Sequence, residues 1–476
     1  MLSIELNDLI KHIIKTKAES QTVEVKAAHK GTPKHLYDTL SSFSNQDSGG
    51  IIVFGLDESL GFEPVGVYDL QDLQKIVAEQ CNQMDPVVRA VFTTTEYEGV
   101  NICSAEIPSI DIINRPCYYR GAGKTKGSYV RVGDADLPMT DYEIYSFESY
   151  KAHVHDDERP IDRADLSLLD EAGINNYILQ MKLNRPYFSK LSEEQIYELL
   201  SITRNGVPTL ASILNFGIYP QGLLPQLAIT ATIIPGTEIG ETTNDGVRFL
   251  DNKRIEGTLS EMLDEAIAFC NRNMRTQTII DPKTGKRNDK TEYPINAIRE
   301  AILNALIHRD YSVHTEGTTI QISFFIDRLE IHSPGSLYGR MTVNDLGKVR
   351  PDLRNPALAT MSEFLLKTEN RYSGIPTIRR EMQEYGLPEP LFENRRNEFV
   401  VTLFNKSETS INNSEDNADL LTFCKKPRTR QEISDYLGLK TTQYVSKNYI
   451  QPLVNQGKLK LLDPDKPKSK NQKYYS

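Results

Sequence analysis

Glu24 and Lys26 lie two residues apart in the run Thr22–Lys26, so on an extended strand both side chains point to one face while Val23 and Val25 point to the other. Gly49-Gly50 permits a tight turn into the apolar run Ile51–Leu56, and Asp57 and Glu58 stand at its exit. Carboxylates and a lysine gathered in this way can hold a divalent metal, Mg²⁺ or Mn²⁺, against a phosphodiester and activate water. A second pair, Glu300 and Asn304, is spaced i, i+4 and shares one helix face, with Ala301 and Ala305 small enough to admit a close neighbour. The segment Arg120-Gly-Ala-Gly-Lys124-Thr-Lys126 contains the G-K-T of a Walker A loop. That motif, however, needs a glycine five residues before Gly123, where Tyr118 stands, and a helix after it, where strand-like residues follow. The segment is expected to be a basic, glycine-rich hairpin tip, with Arg120, Lys124, Lys126 and the nearby Arg131 as contacts for phosphates.

Elements to position these groups are legible around them. Thr22–Lys26, Ile51–Leu56, Asn101–Pro108 and Ser128–Val132 read as strands, and Lys34–Phe43 and Asp69–Cys81 as helices, which makes residues 1–150 an α+β domain. An amphipathic helix precedes it, with Leu6, Leu9, Ile10, Ile13 and Ile14 on one stripe. His153–Pro160 is polar and ends in proline, as a linker does. From Ile161 to Asn405 the signals mix again. Helical patterns cover Asp165–Leu179, Ser192–Leu200, Ser260–Asn273 and Pro294–His308, strand patterns cover Thr318–Ile326 and Arg328–His332, and Asp281–Thr291 reads as a charged loop. Residues 406–416 are polar and read as a flexible linker.

Residues 417–476 have the arithmetic of a helix-turn-helix. Thr429 and Glu432 fit a capping box, Ile433, Tyr436 and Leu437 continue an apolar stripe, and Gly438 stops the first helix. Thr441 or Thr442 then caps a second helix with Val445, Tyr449, Leu453 and Val454 buried. Gly457–Leu462 reads as a strand and Asp463–Lys473 as a basic hairpin, so the whole is expected to be a winged helix. In it Gln443, Tyr444, Lys447 and Asn448 face bases, while Arg428, Lys466, Lys468 and Lys470 meet phosphates. Residues 424–476 carry a net charge of +8, leaving −18 on the rest of a chain whose total is −10. Such asymmetry is the footprint of a nucleic-acid-binding tail.

Motif order ties two regions to known families. Glu19-Ser-Gln-Thr-Val-Glu24-Val-Lys26, then Phe43-Ser-Asn45 through Gly49-Gly50 to Gly55-Leu-Asp57-Glu58, then Arg115-Pro116 and Gly127-Ser-Tyr-Val-Arg131-Val-Gly133, resembles the Schlafen-type AlbA-like domain over residues 15–148. In Schlafens with nuclease activity, two glutamates of the first motif and the last acid of the second are catalytic. The resemblance carries those roles, and the metal, to Glu19, Glu24 and Glu58, with Lys26 beside them and Glu58 where the family has Asp. Many bacterial relatives are described instead as DNA-binding transcriptional regulators.

The block Tyr293–Tyr311, with Pro208-Thr209, Phe216-Gly217, Asp327–Ile331, Ser333-Pro-Gly335, Arg354-Asn-Pro356 and Ser373-Gly374-Ile375, resembles the divergent GHKL-like ATPase region fused to that domain in bacterial regulators. The resemblance makes Asn304 a ligand of the Mg²⁺ that bridges ATP phosphates, Glu300 the residue orienting the attacking water, and Gly335 and Gly374 parts of the nucleotide cradle. The adenine-reading Asp of D-x-G-x-G is replaced, since His332-Ser-Pro-Gly335 stands there, and the glycine-rich lid is reduced to Ser373-Gly374.

A chain of 476 residues holds about three domains of ordinary size. Charged residues at 25% and hydrophobic residues at 39% exclude collagen-like, coiled-coil and wholly disordered classes. The longest nearly uninterrupted apolar run, about Gly49–Leu56, is far short of a membrane span, and Glu5 and Asp8 spoil a secretory signal, so a cytoplasmic location is expected. Five cysteines without a C-x-x-C pair argue against a disulfide framework or structural zinc. The expectation is a multidomain α+β bacterial protein. It comprises an AlbA-like domain (1–150), a GHKL-like α/β sandwich (161–405), a linker (406–416) and a winged helix (417–476). It would bind DNA, or alternatively RNA, as a transcriptional regulator, with ATP in the middle region. The enzyme alternative is a metal-dependent nuclease. Symmetric dimers are common among such regulators.

Overall fold

The computed structural model describes residues 1–280, 287–366, 373–405, 420–436, 445–450, 453–454, 458–462 and 472–476, with only the backbone of Ile279, Asn288, Asp435, Lys447 and Asn448. Mixed α and β elements form several sheets along the chain. The first is four-stranded, with β1 (Val23–Lys26), β2 (Gly50–Phe54), β3 (Val91–Tyr97) and β4 (Val100–Ile107) in the order β1-β2-β4-β3. β1 and β2 are parallel and the other pairs antiparallel.

Strand alternation decides what lies on each face of this sheet. The amphipathic helix α1 (Ser3–Thr16) lays Leu6, Ile10 and Ile13 against Val23, Val25, Val53 and Ile102. The opposite face packs on α2 (Tyr37–Asn45) and α3 (Leu70–Asn82) through Leu40, Phe43, Leu73 and Val77. Val23 and Val25 are therefore committed to α1, and Glu24 and Lys26 emerge on the α2 side, as period-two alternation requires. Asn45 at the end of α2 donates to Cys117 O (2.9 Å) and Tyr129 O (3.1 Å) and accepts from Cys117 N (2.7 Å), tying in the hairpin of β5 (Tyr129–Val132) and β6 (Ala135–Pro138).

After α4 (Asp141–Lys151) comes a larger unit built on a six-stranded mixed sheet. Its strands are β7 (Ile229–Ile233), β8 (Asp251–Ile255), β9 (Ile320–Phe324), β10 (Arg328–Pro334), β11 (Leu391–Asn394) and β12 (Glu398–Phe404), in the order β8-β7-β9-β10-β12-β11. Helices α5 (Leu259–Asn273) and α6 (Ile295–His308) cover one face, with Ala297, Ile298, Ala301, Ile302 and Ala305 of α6 in the largest core. Leu329 and Ile331 of β10 face that core, whereas Glu330 and His332 point the other way.

Two expectations are corrected here. Thr276–Ile280 and Arg287–Thr291 pair as an antiparallel hairpin, so 287–291 is a strand where a loop was expected; alternating side chains such as Asp289, which accepts from Thr278 Oγ1 (2.7 Å), stabilise the pairing. His153–Pro160 is packed and does not behave as a linker. Asp157 is buried in a 3-10 turn and accepts from Leu358 N (2.9 Å), at the start of α7 (Pro356–Leu365).

Near the C-terminus, Arg428–Thr429, Lys460–Leu461 and Lys473–Tyr475 form a three-stranded sheet beside the helix Arg430–Tyr436. The Thr429–Glu432 capping box forms, with Thr429 N donating to Glu432 Oε2 (2.8 Å) and Glu432 N to Thr429 Oγ1 (3.2 Å). Ile433, Val445, Tyr449, Leu453 and Tyr474 make a small separate core.

Candidate functional site

The carboxylates singled out at the N-terminus converge on an arginine. Glu19 precedes β1 and accepts from Val25 N (2.7 Å). One Glu24 oxygen lies 2.7 Å from Arg131 Nη2 and the other is paired with Lys26 Nζ. Arg131 reaches in from β5, 1% exposed, and its second arm meets Asp136 Oδ1 at 3.0 Å. Asp136 also accepts from Thr39 Oγ1 (2.7 Å) and Ser42 Oγ (2.6 Å), and the guanidinium lies over the Phe43 ring at 5.2 Å. Arg131 is thus not a surface contact for phosphate: three elements around it, β1, α2 and β6, are tied to its charge. Sequence reasoning missed Asp136, although its place three positions past Gly133 in a short hairpin sets it opposite Arg131.

Burial raises the Glu19 carboxyl to about 7, and the repulsion of Glu24 and Glu58 adds to it, against the Val25 amide and Lys26. Glu58 itself is exposed and opens a 3-10 turn capped by Asp57, which accepts from Ser59 N (3.0 Å). A metal does not fit this arrangement. Both oxygens of Glu24 already face cations, and among the described residues no three His, Cys, Asp or Glu side chains stand together as ligands. Glu19, Glu24 and Glu58 are near enough to repel one another, but Glu24 is already paired with Arg131 and Lys26.

The basic segment is not a hairpin tip, because Lys124–Gly127 forms a single helical turn before β5. Gly123 takes φ +73°, a left-handed value that suits glycine at the entry. Arg120 and Lys126 are exposed, while Lys124 is paired with Glu148 at 2.5 Å.

In the middle unit, Glu300 and Asn304 share the face of α6 that meets the start of α8 (Gly374–Glu384). A Cβ on Gly374 would stand 3.0 Å from Asn304 Nδ2 and 3.2 Å from Glu300 Oε2, so the first turn of α8 is pressed onto this pair. Arg299 Nη1 lies 3.3 Å from Glu300 Oε1. The Asn304 amide nitrogen is buried without a hydrogen-bond partner among the described residues. Ser373, at the cap of α8, makes no side-chain cap bond, which leaves the helix's first amides and positive dipole end directed at the same place. An amide that can turn its oxygen to a cation, a carboxylate and a helix N-terminus suit a phosphate group with its Mg²⁺. The residues present therefore fit the group that the ATPase resemblance implies.

Gly335 lies elsewhere. At φ +99° it packs where a Cβ would be 2.4 Å from Asp310 Cβ and 2.7 Å from Arg354 Nη1, which explains why glycine is needed there. His332, in the position of the usual adenine reader's motif, turns to the other face of the sheet, between Glu330 (3.0 Å) and Glu398 (3.1 Å).

Asp310, just past α6, joins the two units. It accepts from Tyr142 Oη of α4 (2.8 Å) and from Ser312 N (2.7 Å), with Arg354 Nη1 at 4.0 Å. Tyr150 Oη donates to Asp352 (2.9 Å), and Arg396 binds Glu143 through two nitrogens, both at 2.8 Å. No sequence signal links residues this far apart.

At the C-terminus, Arg428 lies 3.5 Å from Glu432 and stacks over Phe423 at 4.3 Å. Gln443, Tyr444, Lys466, Lys468 and Lys470 lie outside the described residues, as do the side chains of Lys447 and Asn448.

Comparison with known proteins agrees with the two folded units. Residues 19–140 match the family model "Schlafen, AlbA_2", residues 317–403 match "Putative ATP-dependent DNA helicase recG C-terminal", and residues 416–475 match "Filamentation induced by cAMP protein Fic-like, C-terminal domain". The protein is thus a multidomain α+β chain that joins an AlbA-type domain to an ATPase-like region. Specifically, residues 19–140 are similar to Schlafen AlbA_2 domains, and residues 317–403 to the C-terminal region of RecG-related proteins. Among solved structures, the DIP2311 protein from Corynebacterium diphtheriae is 18% identical, covering 94% of this chain and 93% of that one, with a TM-score of 0.40. The N-terminal domain of a RecG-related protein from Nitrosomonas europaea is 25% identical over 28% of this chain and 92% of that one, with a TM-score of 0.23. No curated protein matches the chain. Among the described residues, no helix is long and apolar enough to cross a membrane.

Proposed function

We propose that this protein binds nucleic acid, as a DNA-binding transcriptional regulator whose ATPase-like region responds to nucleotide. The observation that carries the reading is the convergence of Glu300, the unpartnered Asn304 amide and the start of α8 in the unit joined to the AlbA domain. Asn304 would hold the cation of a bound MgATP, Glu300 would accept a hydrogen bond from a water beside it, and the backbone amides of Gly374 and Ile375 at the start of α8 would face the phosphates. Bound MgATP supplies the negative charge that this helix end lacks. Tyr142 bonded to Asp310, six residues after Asn304, then offers a direct path to the AlbA domain.

The nucleic-acid part of the reading is supported by the AlbA_2 match and by the +8 tail, whose three strands and capped helix suit a winged helix. A symmetric dimer would present two such readers to a palindromic site, and native mass in solution tests it. Nuclease chemistry is not favoured, since Glu24 is neutralised from both sides.

Thermal unfolding with and without millimolar MgATP tests the nucleotide part. The wild type is expected to gain stability as RT ln(1 + [L]/Kd), and Asn304→Ala to gain none. Truncation after Asn405 is expected to abolish a salt-sensitive shift of duplex DNA; unchanged binding would remove the tail as its reader.

A further inference from the structure

The loop between β1 and α2 reads Lys26-Ala-Ala-His29-Lys30-Gly-Thr-Pro-Lys34-His35, with five basic or imidazole side chains and no acid in ten residues. It is a built surface. The Gln80 side chain, 4% exposed, accepts from Leu36 N (2.9 Å) and donates to Pro33 O (2.9 Å), which fixes the loop's second half on α3. Next to it Tyr37 stacks on Tyr119, with ring centroids 3.8 Å apart and planes 14° from parallel. Tyr37 Oη donates to the Gln83 side chain (3.0 Å), and Arg120 N donates to Gln83 O (3.1 Å), so the residue capping the C-terminus of α3 aligns both tyrosine and arginine.

Lys30, Lys34, Arg120 and Lys126 are all exposed, and among the described residues none has a carboxylate partner within ion-pair distance. Neighbouring acids are engaged elsewhere. Asp85 accepts from Tyr118 (2.8 Å), Glu148 holds Lys124, and Asp38 turns toward Tyr129 and His35. The surface therefore combines a half-exposed aromatic pair with four cations that have no carboxylate partner among the described residues, Arg120 being steadied by its Nε bond to Met84 O (3.2 Å).

We propose that the Tyr37–Tyr119 stack is a platform for an unpaired base, and that Lys30, Lys34, Arg120 and Lys126 hold the flanking phosphates of a single strand. This proposal rests on the nucleic-acid reading above and narrows it. A paired base presents only its edges, so a tyrosine face gains nothing from intact duplex; an unpaired base offers its π-face, whatever its identity. Prior stacking on Tyr119 and the bond to Gln83 hold the Tyr37 ring in place before the strand arrives, so little side-chain freedom is lost on binding.

The test uses the full chain with DNA and RNA single strands containing 2-aminopurine, whose emission falls on stacking, and with the matching duplexes. Wild type is expected to quench the probe and to prefer the single strands. Tyr37→Leu is expected to lose the quench and to weaken single-strand binding about five- to one hundred-fold. Tyr37→Phe, which keeps the ring, is expected to retain both. Lys30→Ala/Lys34→Ala is expected to weaken binding and lower its salt dependence while the residual complex still quenches. Binding to single strands with unchanged quench and affinity in Tyr37→Leu would overturn the platform and leave nucleic-acid binding standing. Absence of binding to any strand or duplex at low salt would overturn both.

Discussion

Replacing Arg131 with methionine separates an internal counter-charge from a nucleic-acid contact. The side chain is 1% exposed and faces Glu24 at 2.7 Å, Asp136 at 3.0 Å and Glu19 at 3.8 Å, with Val23 O at 3.4 Å. Methionine fills much of the same volume but strands three carboxylates, of which only Glu24 keeps another cation, Lys26. Breaking a buried pair by removing one partner costs about 3–5 kcal/mol, against roughly 0–1 kcal/mol for an exposed pair. For a domain of this size that lowers the melting temperature by about 10–20 °C. Scanning calorimetry of the full chain would record the shift, and hydrogen exchange in β1 and β5 would place it in the AlbA domain. Arg131→Lys is expected to fall between, because an ammonium cannot serve both carboxylates with a planar fork. The double variant Asp136→Asn/Arg131→Met is expected to recover part of the loss, since one stranded charge is gone. A melting point within about 2 °C of wild type for Arg131→Met, together with weaker nucleic-acid binding, would refute the assignment and return Arg131 to the surface.

Other outcomes follow from the same geometry. Glu19 titrates near 7 when folded against an ordinary 4.5, so its favourable contribution is present below 4.5 and is lost as pH rises through about 7. Glu19→Gln is therefore expected to gain on wild type in urea midpoint between pH 5 and pH 8; a pH-independent difference would contradict this. Asp157→Ala is expected to cost about 1 kcal/mol by removing the acceptor at the start of α7, with Asp157→Asn losing less, as read from urea unfolding. Gly374→Val places its branched Cβ against Asn304 and Glu300, so it should abolish the MgATP-induced rise in melting temperature while leaving the AlbA transition in place. Binding of MgATP by that variant at wild-type strength would mean that the nucleotide sits elsewhere.

Local patterns in the sequence located most elements that carry the site. Period two in Thr22–Lys26 assigned Glu24 and Lys26 to one face, and the apolar stripe of Pro294–His308 placed Glu300 and Asn304 together, because both signals depend only on near neighbours. The Thr429–Glu432 box was legible for the same reason. What failed depended on distant partners. Nothing near Arg131 in sequence announces that Glu24, more than a hundred residues earlier, claims its charge; a strand arginine after a glycine-rich turn looks the same whether it faces inward or out. The close approach of Asp310 and Arg354 to Gly335 likewise had no local signal. His153–Pro160 has a linker's composition, yet Asp157 is drawn inside by an amide at the start of α7. The strands Val91–Tyr97 and Ile229–Ile233 lacked clear signals, one being half-exposed throughout and the other mixing small polar and apolar residues. The basic loop Lys26–His35 was legible in composition, but its meaning required the Tyr37–Tyr119 stack, which pairs residues from separate elements.

The central claim is that this chain binds nucleic acid through its basic surfaces. Its most direct test is fluorescence anisotropy of labelled single-stranded and duplex DNA titrated with the full-length protein at several salt concentrations between about 50 and 200 mM, where counterion release governs affinity. Saturable binding is expected, with the logarithm of the association constant falling linearly with the logarithm of salt, by about 0.9 per phosphate neutralised on duplex and about 0.7 on a single strand. No binding at the lowest salt, or binding indifferent to salt, would contradict it.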